Sequence, residues 1–600
     1  MIKLSDYVVK FLESKGVKDI FLISGGGMMH LLDSVGQSRK INLYCNLNEQ
    51  ATTICGDAYA QFTNDLSVCM VTTGPGATNA VTGVVSAYID STPMLVISGQ
   101  VKTADIVGDR GVRQIGAQEC DIVTMVKSQT KYAAVVTKKE DIRFHLEKAV
   151  YLATHGRRGT VWIDIPLDIQ AAMIDEESLC GFSPDKEPEF VGSVKENEIK
   201  LVYELLNASK RPVILAGHGV IASGAAVAFK ALADKLSIPV LTTWRAKNLF
   251  DDDNSIYFGH PGSPGPRYSN YVLQNSDFML IVGTRLNVGV TAFNDRNFGK
   301  NAKKVIVDID ENEIKKLDMD FEENIICDAR IFMEKMLDCK QLYNAAERND
   351  WISYCRRMKD KYPMSQSITA RADGLVDGYE LAYEISKRSK RDDLAVMASS
   401  GRSCGIMNLG FERHGQTIVN AMGLGSMGYA LPASIGSCIA SGKKRTLVID
   451  GDGSLQHNIQ ELMLINTYKL PIKLFVYNNG GYASIFVMQC NHFKSRFTAC
   501  IPENGVAFPN LEVLAKAYGI AYRQIKSRKT LFSVLDDVMS DDNPVICEVM
   551  GFVEFDEIPK AMSKVNADGT MSSSALENLY PFLPDEETAN NMKISQEVYK

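Results

Sequence analysis

The chain has 600 residues, 45% of them hydrophobic and 23% charged, a balance typical of a globular protein with several domains. Its net charge of −7, without a long basic cluster, argues against a nucleic-acid partner. The thirteen cysteines contain no CxxC pair, the first residues form a polar helical pattern, and no run of about 18 apolar residues occurs, which predicts a reduced, cytoplasmic protein that does not contact a membrane.

Apolar runs alternate with helical patterns over residues 1–175, as in SVCMVTT and TVWIDIP, and this alternation predicts a parallel α/β domain. The polar stretch 183–198 predicts a linker. A second such unit covers 190–340, with strands predicted at 212–216, 239–243, 278–282 and 304–309. A third covers 370–555, and 556–600 is a tail of little periodicity. The fold class is therefore α/β, with three doubly wound parallel-sheet domains.

The most informative motif of the third unit is GDGS at 451–454, followed by NNGG at 478–481, so that Asn479 follows Asp452 by 27 positions. Residues 445–450 and 472–477 are short apolar runs that predict strands, and the spacing of apolar residues over 457–469 predicts a helix between them. Such a unit brings both strand ends to one edge of the sheet, where doubly wound folds bind ligands. Asp452 and Asn479 are therefore predicted to converge.

These residue types suit a metal-bound diphosphate. The Asp452 carboxylate, the Asn479 amide oxygen and a backbone carbonyl such as that of Gly481 are hard oxygen ligands of the kind Mg²⁺ accepts beside phosphate oxygens. The amides of Gly451 and Gly453 and the helix start after Ser454 can bind the diphosphate itself. Without the second motif, GDG would be an ordinary strand-end turn.

The two motifs together resemble the thiamin diphosphate (ThDP) motif, and the first unit carries a matching half. Glu49 precedes GPGATN (74–79), STPMLVISGQ (91–100) and QECDIV (118–123), in the order found in the acetolactate synthase family. The third unit continues the match with GLGSMGYALPASIG (423–436). The resemblance covers roughly residues 1–555.

The resemblance implies roles for individual residues. Glu49 would share a proton with the aminopyrimidine ring of ThDP, the general acid/base step through which the cofactor is activated. Alone, Glu49 would be an acidic residue favourable to a helix start. Met427 matches the apolar residue that bends the cofactor, although a methionine beside glycines is commonly core filling. The implied catalytic residues are Glu49, Gln118 and His30; the cofactor-binding residues are Gly26, Gly74, Asn79, Ser403, Gly425, Met427, Gly451, Gly453, Ser454 and Tyr482; the metal ligands are Asp452, Asn479 and Gly481.

The family resemblance also implies that the active site lies between the pyrimidine-binding domain of one chain and the diphosphate-binding domain of another. We therefore expect a homodimer or homotetramer, in which Glu49 of one chain faces Asp452 of the next.

The chain departs from the family at positions that bear on substrate. Ala117 replaces an aromatic residue before Gln118, and the tryptophan that selects acceptors has no counterpart in 486–497. The glycine loop 25–30 ends in His30, for which a structural role is the alternative. Gly401-Arg402-Ser403 replaces the family's Gly-Gln-His, so diphosphate contacts from these side chains are open.

The second unit raises the question of FAD, which the family binds without redox work. The segments 217–219, 242–243, 283–286 and 308–310 match the general pattern, while residues 286–292 depart from it. An isolated GxG also suits a Rossmann-like domain without a ligand. FAD binding and an empty domain are both open at this point.

The resemblance predicts a ThDP and Mg²⁺ enzyme that decarboxylates a 2-oxo acid, such as pyruvate, and transfers the acyl anion to a carbonyl acceptor. Ala117 and the missing tryptophan predict a larger acceptor, such as a keto-sugar. The alternatives are simple 2-oxo acid decarboxylation, hydrolysis of a cyclic 1,2-dione, and a non-catalytic regulatory protein with the same fold.

Overall fold

The computed structural model describes residues 1–187, 192–340, 343, 348–565 and 568–593. It contains parallel sheets of six, five and six strands, one for each domain, together with two short antiparallel pairs. Apolar side chains cover both faces of each sheet, which confirms the predicted α/β class of three doubly wound domains. Among the described residues, no helix is long and apolar enough to cross a membrane.

The N-terminal domain has a sheet whose central strands are buried along their length, because helices cover both faces. Its elements are strands β1 (Ile2–Lys3), β2 (Asp19–Leu22), β3 (Asn42–Cys45), β4 (Ser67–Val71), β5 (Met94–Gln100), β6 (Tyr132–Val135), β7 (Thr160–Pro166) and β8 (Met173–Ile174), and helices α1 (Leu4–Ser14), α2 (Met29–Gly36), α3 (Glu49–Thr63), α4 (Pro75–Ile89), α5 (Ile122–Val126), α6 (Ile142–Thr154) and α7 (Leu167–Ala171). The parallel strand order is β3-β2-β4-β5-β7-β6, and β1 pairs with β8.

The central domain has a five-stranded parallel sheet. Its first helix starts at Glu196, so the last three residues of the stretch 183–198, predicted as a linker, are helical. Its elements are β9 (Pro212–Ala216), β10 (Val240–Thr242), β11 (Phe278–Val282), β12 (Lys303–Asp308) and β13 (Glu323–Ile326), with α8 (Glu196–Ala208), α9 (His218–Ala222), α10 (Ala226–Leu236), α11 (Arg267–Gln274), α12 (Glu311–Lys315), α13 (Ala329–Asp338) and α14 (Asn349–Lys361). The strand order is β10-β9-β11-β12-β13. Residues 188–191 of the predicted linker lie outside the described residues.

The C-terminal domain repeats the plan of the first. Its elements are β14 (Leu394–Met397), β15 (Thr417–Val419), β16 (Thr446–Gly451), β17 (Ile472–Asn478), β18 (Ala521–Ile525) and β19 (Val545–Met550), with α15 (Gly378–Arg388), α16 (Gly401–Gly410), α17 (Ala430–Ala440), α18 (Asp452–Leu455), α19 (Leu462–Tyr468), α20 (Ala483–His492), α21 (Leu511–Ala517) and α22 (Arg528–Met539). The strand order is β15-β14-β16-β17-β19-β18.

The predicted helix over 457–469 was wrong in its start and its continuity. Helix α18 begins at Asp452, and short turns over 456–461 lead into α19. The break lies at Asn458, whose backbone is non-helical and whose buried side chain donates a hydrogen bond to the Gly428 carbonyl (2.8 Å). A tertiary contact therefore overrides the helical pattern.

The tail folds back onto the central domain, which its weak periodicity did not predict. It contains β20 (Ser563–Val565), β21 (Met571–Ser573) and α23 (Asp585–Asn591). Leu576 and Met592 join an apolar cluster of the central domain, and Arg267 donates a hydrogen bond to the Leu579 carbonyl (2.8 Å). Residues 594–600 lie outside the described part of the chain.

Helices α3 and α17 join the first and third domains around one shared apolar cluster. They run antiparallel, because Cys55 in the middle of α3 donates to the Pro432 carbonyl (3.1 Å) while the later Gln61 donates to the hydroxyl of Tyr429 (3.0 Å). At Gly436 an added Cβ would lie 2.1 Å from the backbone oxygen of Cys55. The two helices thus approach as closely as glycine permits.

We expect Gly436→Ala to lower the free energy of unfolding by about 1–3 kcal/mol, since the methyl group must push two backbones apart. Gly36→Ala is the control, because a Cβ at that exposed helix end meets nothing within 4 Å. Urea unfolding of both variants measures the difference. Equal midpoints would contradict the close approach of α3 and α17.

Candidate active site

The ends of β16 and β17 meet at Asp452, as the strand, helix, strand pattern predicted. One oxygen of its carboxylate accepts the Gly480 amide (2.8 Å) and the other accepts the Gly453 amide (2.8 Å). Burial raises the pKa of Asp452 to about 7, and the hydrogen bonds from these backbone amides oppose that rise. A cation at this position would favour the charged form and remove the cost of burying it.

Asn479 and Gly481 lie in the loop that contacts Asp452. The side-chain oxygen of Asn479 accepts the Gly481 amide (3.2 Å), and a Cβ on Gly481 would lie 2.2 Å from the Cys500 carbonyl. No group of three or more His, Cys, Asp or Glu side chains among the described residues could hold a metal ion. A metal here would therefore rely on Asp452, on amide and carbonyl oxygens, and on oxygens of its ligand.

Polar groups with room for an anion surround the start of α16 and α18. The hydroxyl of Ser403 lies 3.6 Å from the position of a Cβ on Gly451, and the Tyr482 ring covers Gly453 so closely that a Cβ there would be 2.5 Å from it. Within the described chain, the buried hydroxyls of Ser399 and Ser400 have no hydrogen-bond partner. Unpartnered donors beside glycine backbone are what a diphosphate requires, so the residues present fit this group.

The loop before α17 contains the remaining residues predicted to bind cofactor in this domain. Gly425 and Gly428 both have left-handed backbones, with φ of 73° and 75°. The Gly428 amide donates to the Ser454 hydroxyl (3.0 Å), which ties this loop to the GDGS turn, and the half-buried Met427 lies between the two glycines. The structure thus brings Met427, Gly451, Gly453 and Ser454 into one region.

Arg402, which stands where the family has Gln, binds the tail instead. Its guanidinium pairs with Asp556 (3.0 Å) and Glu557 (3.2 Å), and the half-buried Glu557 also accepts the Gly405 amide (3.0 Å). The arginine that departs from the family pattern therefore binds the tail. This contact was not predicted from the sequence.

The N-terminal half of the site forms around Glu49, the first residue of α3. Its carboxylate accepts a hydrogen bond from the Asn79 side chain (3.1 Å), and its other oxygen lies 3.5 Å from the position of a Cβ on Gly76. Asn48 caps the helix by accepting the Gln50 amide (2.8 Å). Glu49 and the GPGATN segment are thus adjacent, as the resemblance implies.

Gln118 lies against the same segment in a strained conformation. Its φ is 65°, uncommon for a residue other than glycine, and its carbonyl faces Gly74, where a Cβ would meet that oxygen at 2.2 Å. Of the other predicted residues, Gly26 has open space around its Cα, Ala117 is exposed, and no hydrogen-bond partner of His30 is found among the described residues.

A buried polar network supports this half of the site and was not predicted. The Gln100 side chain accepts from Thr73 (2.9 Å) and donates to both the Cys120 carbonyl (2.9 Å) and Asp164 (2.9 Å). Burial raises the pKa of Asp164 to about 7, while hydrogen bonds from Ser98 and Gln100 oppose the rise. The sequence feature that could have revealed this network is Asp164 itself, an acidic residue near the end of the otherwise apolar strand TVWIDIP.

The two halves lie at opposite ends of the antiparallel helices α3 and α17. Tyr429, at the start of α17, contacts Gln61, and Glu49 lies 12 residues earlier, roughly 18 Å along the helix. Apolar side chains nevertheless stand exposed on segments that flank either half: Met29, Leu47, Val112, Ile115, Leu424, Met463, Ile485, Met488 and Phe493. Neither half is complete on its own, since the acid and the diphosphate-binding turn are separated.

A cavity of about 750 Å³ lies where the three domains meet. Its lining includes residues from every segment considered for FAD: His218, Gly219, Thr243, Gly283, Thr284, Arg285, Leu286, Asp308 and Ile309. Gly217 and Gly283 are in contact, since a Cβ on Gly217 would lie 2.2 Å from the Gly283 carbonyl. This volume is within the range of cavities that hold large small-molecule ligands.

Three family models match the chain in this order. They are the N-terminal TPP binding domain, the central domain and the C-terminal TPP binding domain of thiamine pyrophosphate enzymes, over residues 2–125, 199–336 and 401–549. The chain therefore belongs to the thiamine pyrophosphate enzyme family, and its ThDP-binding domains are those that carry the two halves described above.

Curated relatives narrow the class. The chain is 31% identical to the acetolactate synthase large subunit of Cyanidium caldarium over 551 residues, which span 90% of this chain and 92% of the relative. The corresponding protein of Lactococcus lactis subsp. lactis is 30% identical, with 91% and 92% covered. A probable acetolactate synthase large subunit of Methanocaldococcus jannaschii is 30% identical over similar shares, 91% and 92%. The protein is an acetolactate synthase-like, ThDP-dependent enzyme.

Asp164 provides a pH-dependent test of the buried network. An unfolded aspartate has a pKa of about 3.9, so between about pH 4 and 7 the unfolded chain releases a proton that the folded chain keeps, and stability falls as pH rises. Asn carries no charge. The free energy of unfolding of Asp164→Asn, relative to that of the unsubstituted protein, should therefore increase between pH 5 and 8, by roughly 1–3 kcal/mol. A difference independent of pH, in urea unfolding, would contradict this account.

Proposed function

We propose that the protein is a carboligase that decarboxylates a 2-oxo acid, such as pyruvate, and transfers the remaining acyl unit to a carbonyl acceptor larger than pyruvate. The observation that carries the proposal is the pairing of Asp452 with the Gly480 loop in one domain and of Glu49 with Asn79 in another. These are the two constellations that the family's cofactor needs, and all of their side chains are present.

Bound ThDP would supply the nucleophilic carbon and the electron sink that decarboxylation of a 2-oxo acid requires. In this proposal Glu49 would hold a proton at the pyrimidine ring, and Met427 would support the cofactor from the loop before α17. The hydroxyls of Ser399, Ser403 and Ser454 donate to the diphosphate. The role of the protein is orientation and proton transfer in a pocket shielded from water.

Mg²⁺ is the proposed metal, held by the Asp452 carboxylate, the Asn479 side-chain oxygen, the Gly481 carbonyl and the diphosphate. Two observations support it: these ligands are hard oxygens, and the buried Asp452 carboxylate accepts hydrogen bonds from the backbone amides of Gly453 and Gly480.

A homodimer, or a homotetramer built from it, is the proposed functional unit. Within one chain, Glu49 lies roughly 18 Å along α3 from Gln61, which contacts Tyr429 at the end of α17 that follows the cofactor loop. A second copy would supply the missing half and would cover the exposed apolar side chains of both. The thirteen free cysteines support a reducing compartment such as the cytoplasm.

The proposal of a larger acceptor rests on two features of the site, Ala117 and the loop that follows α20. Ala117 leaves space beside Gln118. In place of the family's tryptophan, Phe486 of α20 stacks on Phe497 of the loop that follows the helix (4.5 Å between ring centroids). Gln489 of α20 holds the same loop, because its side chain bonds both the amide and the carbonyl of Thr498. This architecture supports a different acceptor, such as a keto-sugar.

With ¹³C-labelled pyruvate and a panel of acceptors, we expect turnover to favour a larger ketone over pyruvate or 2-oxobutyrate. Ala117→Phe should fill the space and shift the preference toward the small acceptors by about tenfold or more. Val112→Phe, on the same exposed loop, is the matched control and should leave the preference unchanged. Efficient acetolactate formation by the unsubstituted protein, without preference for larger ketones, would contradict the proposal of a larger acceptor. Release of free aldehyde would instead favour a simple decarboxylase.

FAD is the proposed occupant of the three-domain cavity. In addition to its glycine contacts, the cavity is lined by Arg245, whose guanidinium pairs with Asp90 (3.3 Å), and by Arg285, which donates to the Ile89 carbonyl (2.9 Å). Burial raises the pKa of Asp308, at the end of β12, to about 6. Arginines suit the phosphates of FAD, and a carboxylate suits the hydroxyl groups of a ribose.

The purified protein should carry about one FAD per chain, seen as the visible absorption of oxidised flavin and released by heat. Ala222→Trp, in the cavity wall, should fill the space and remove the absorption. Val227→Trp, on the exposed face of the neighbouring helix, should not. A colourless protein that binds no added FAD would contradict the assignment of the cavity.

A further inference from the structure

The segment that leads into Glu49 is held by side chains of the C-terminal domain. The Cys45 amide donates to the hydroxyl of Tyr468 (2.8 Å). The Leu47 amide donates to one carboxylate oxygen of Glu461 (2.9 Å), and the Asn46 side chain donates to the other (3.0 Å). The backbone between β3 and α3 is therefore shaped by a domain more than 400 residues away in sequence.

Glu461 is suited to holding this segment. Its side chain is fully buried, and no salt bridge of it is found among the described residues. One carboxylate oxygen accepts the Asn46 side chain and the other accepts the Leu47 amide, so Glu461 binds two consecutive residues of the N-terminal domain. A buried carboxylate is costly unless hydrogen-bond donors satisfy it. Removing the Glu461 carboxylate, or the donors on residues 46 and 47, therefore leaves a buried polar group without a hydrogen bond.

Glu461 also lies on the segment that begins at Asp452. Helix α18 and the turns that follow cover 452–461, with a break at Asn458, where the backbone is non-helical. The segment thus starts at the diphosphate-binding turn and ends beside the residues that precede Glu49.

Resting on the two-chain active site proposed above, we propose that Glu461 is a positioning residue. Its carboxylate fixes residues 46–48, which set the direction in which α3 begins and hence the place of the Glu49 carboxylate. Because Glu49 and Asp452 of one chain would serve different active sites, the 452–461 segment physically connects the two sites of a dimer.

Glu461→Ala tests the proposal, because it removes both acceptors. We expect turnover to fall roughly tenfold to a hundredfold, since catalytic geometry tolerates little displacement, with KM and ThDP affinity changed less than about threefold. In the cofactor-free protein, hydrogen exchange of the Leu47 amide should quicken about tenfold or more by mass spectrometry. The exchange measurement does not depend on any reaction.

Glu461→Gln should keep turnover and amide protection within about threefold of the unsubstituted protein, because the glutamine oxygen still accepts the Leu47 amide. The Asn46 side-chain oxygen, which has no hydrogen-bond partner among the described residues, can turn to accept the glutamine NH₂ group. Glu380→Ala is the matched control: Glu380 is a buried carboxylate of the same domain, bonded to Arg528, and its loss should leave exchange at Leu47 and kcat unchanged. If Glu461→Ala fails to fold, Tyr468→Phe replaces it and should quicken exchange at Cys45 and lower kcat.

Normal turnover and normal Leu47 exchange in Glu461→Ala would overturn the positioning role, as would a parallel loss of ThDP affinity with exchange unchanged. An unsubstituted protein that binds ThDP but turns over no 2-oxo acid would instead refute the proposed function, and the exchange result would still report on the contact.

Discussion

The antiparallel packing of α3 against α17 is the constraint on which the rest of the structure depends. Each helix begins at one half of the candidate site: α3 starts with Glu49, and α17 starts two residues after Gly428 of the cofactor loop. Since the contact at Gly436 allows no side chain, the helices cannot slide or separate without disturbing the core that the two domains share. The packing therefore fixes the separation between Glu49 and the diphosphate-binding turn within one chain, and the proposed two-chain site rests on that separation.

Much of this could be predicted from the sequence, because it depends on local patterns. Buried parallel strands appear as continuous apolar runs, and residues at strand ends of one sheet edge converge, so the contact between Asp452 and the Asn479 loop followed from spacing alone. Glu49 and Gly74 were found through the order of motifs. The conformation of Gln118, by contrast, arises from its contact with Gly74, and no pattern in one segment could reveal it.

What the sequence could not predict are contacts between segments that lack a motif. The sequence left diphosphate contacts from Arg402 open. In the structure its partners are Asp556 and Glu557, in a tail whose periodicity gave no indication of docking. Asp164 and Glu461 lay inside ordinary strand and helix patterns, where a single acidic residue is commonly exposed. Their burial depends on donors supplied by distant segments, which only the folded arrangement identifies.

The most direct test of the two-chain site is complementation between inactive variants. Glu49→Gln should retain the cofactor without turnover, and Asp452→Asn should lose metal-bound cofactor; co-expression with two different tags allows the mixed dimer to be isolated. If the halves come from different chains, that dimer has one intact site and should recover about half of the unsubstituted turnover. A mixed dimer as inactive as its parents would show that each chain builds its own site and would contradict the account.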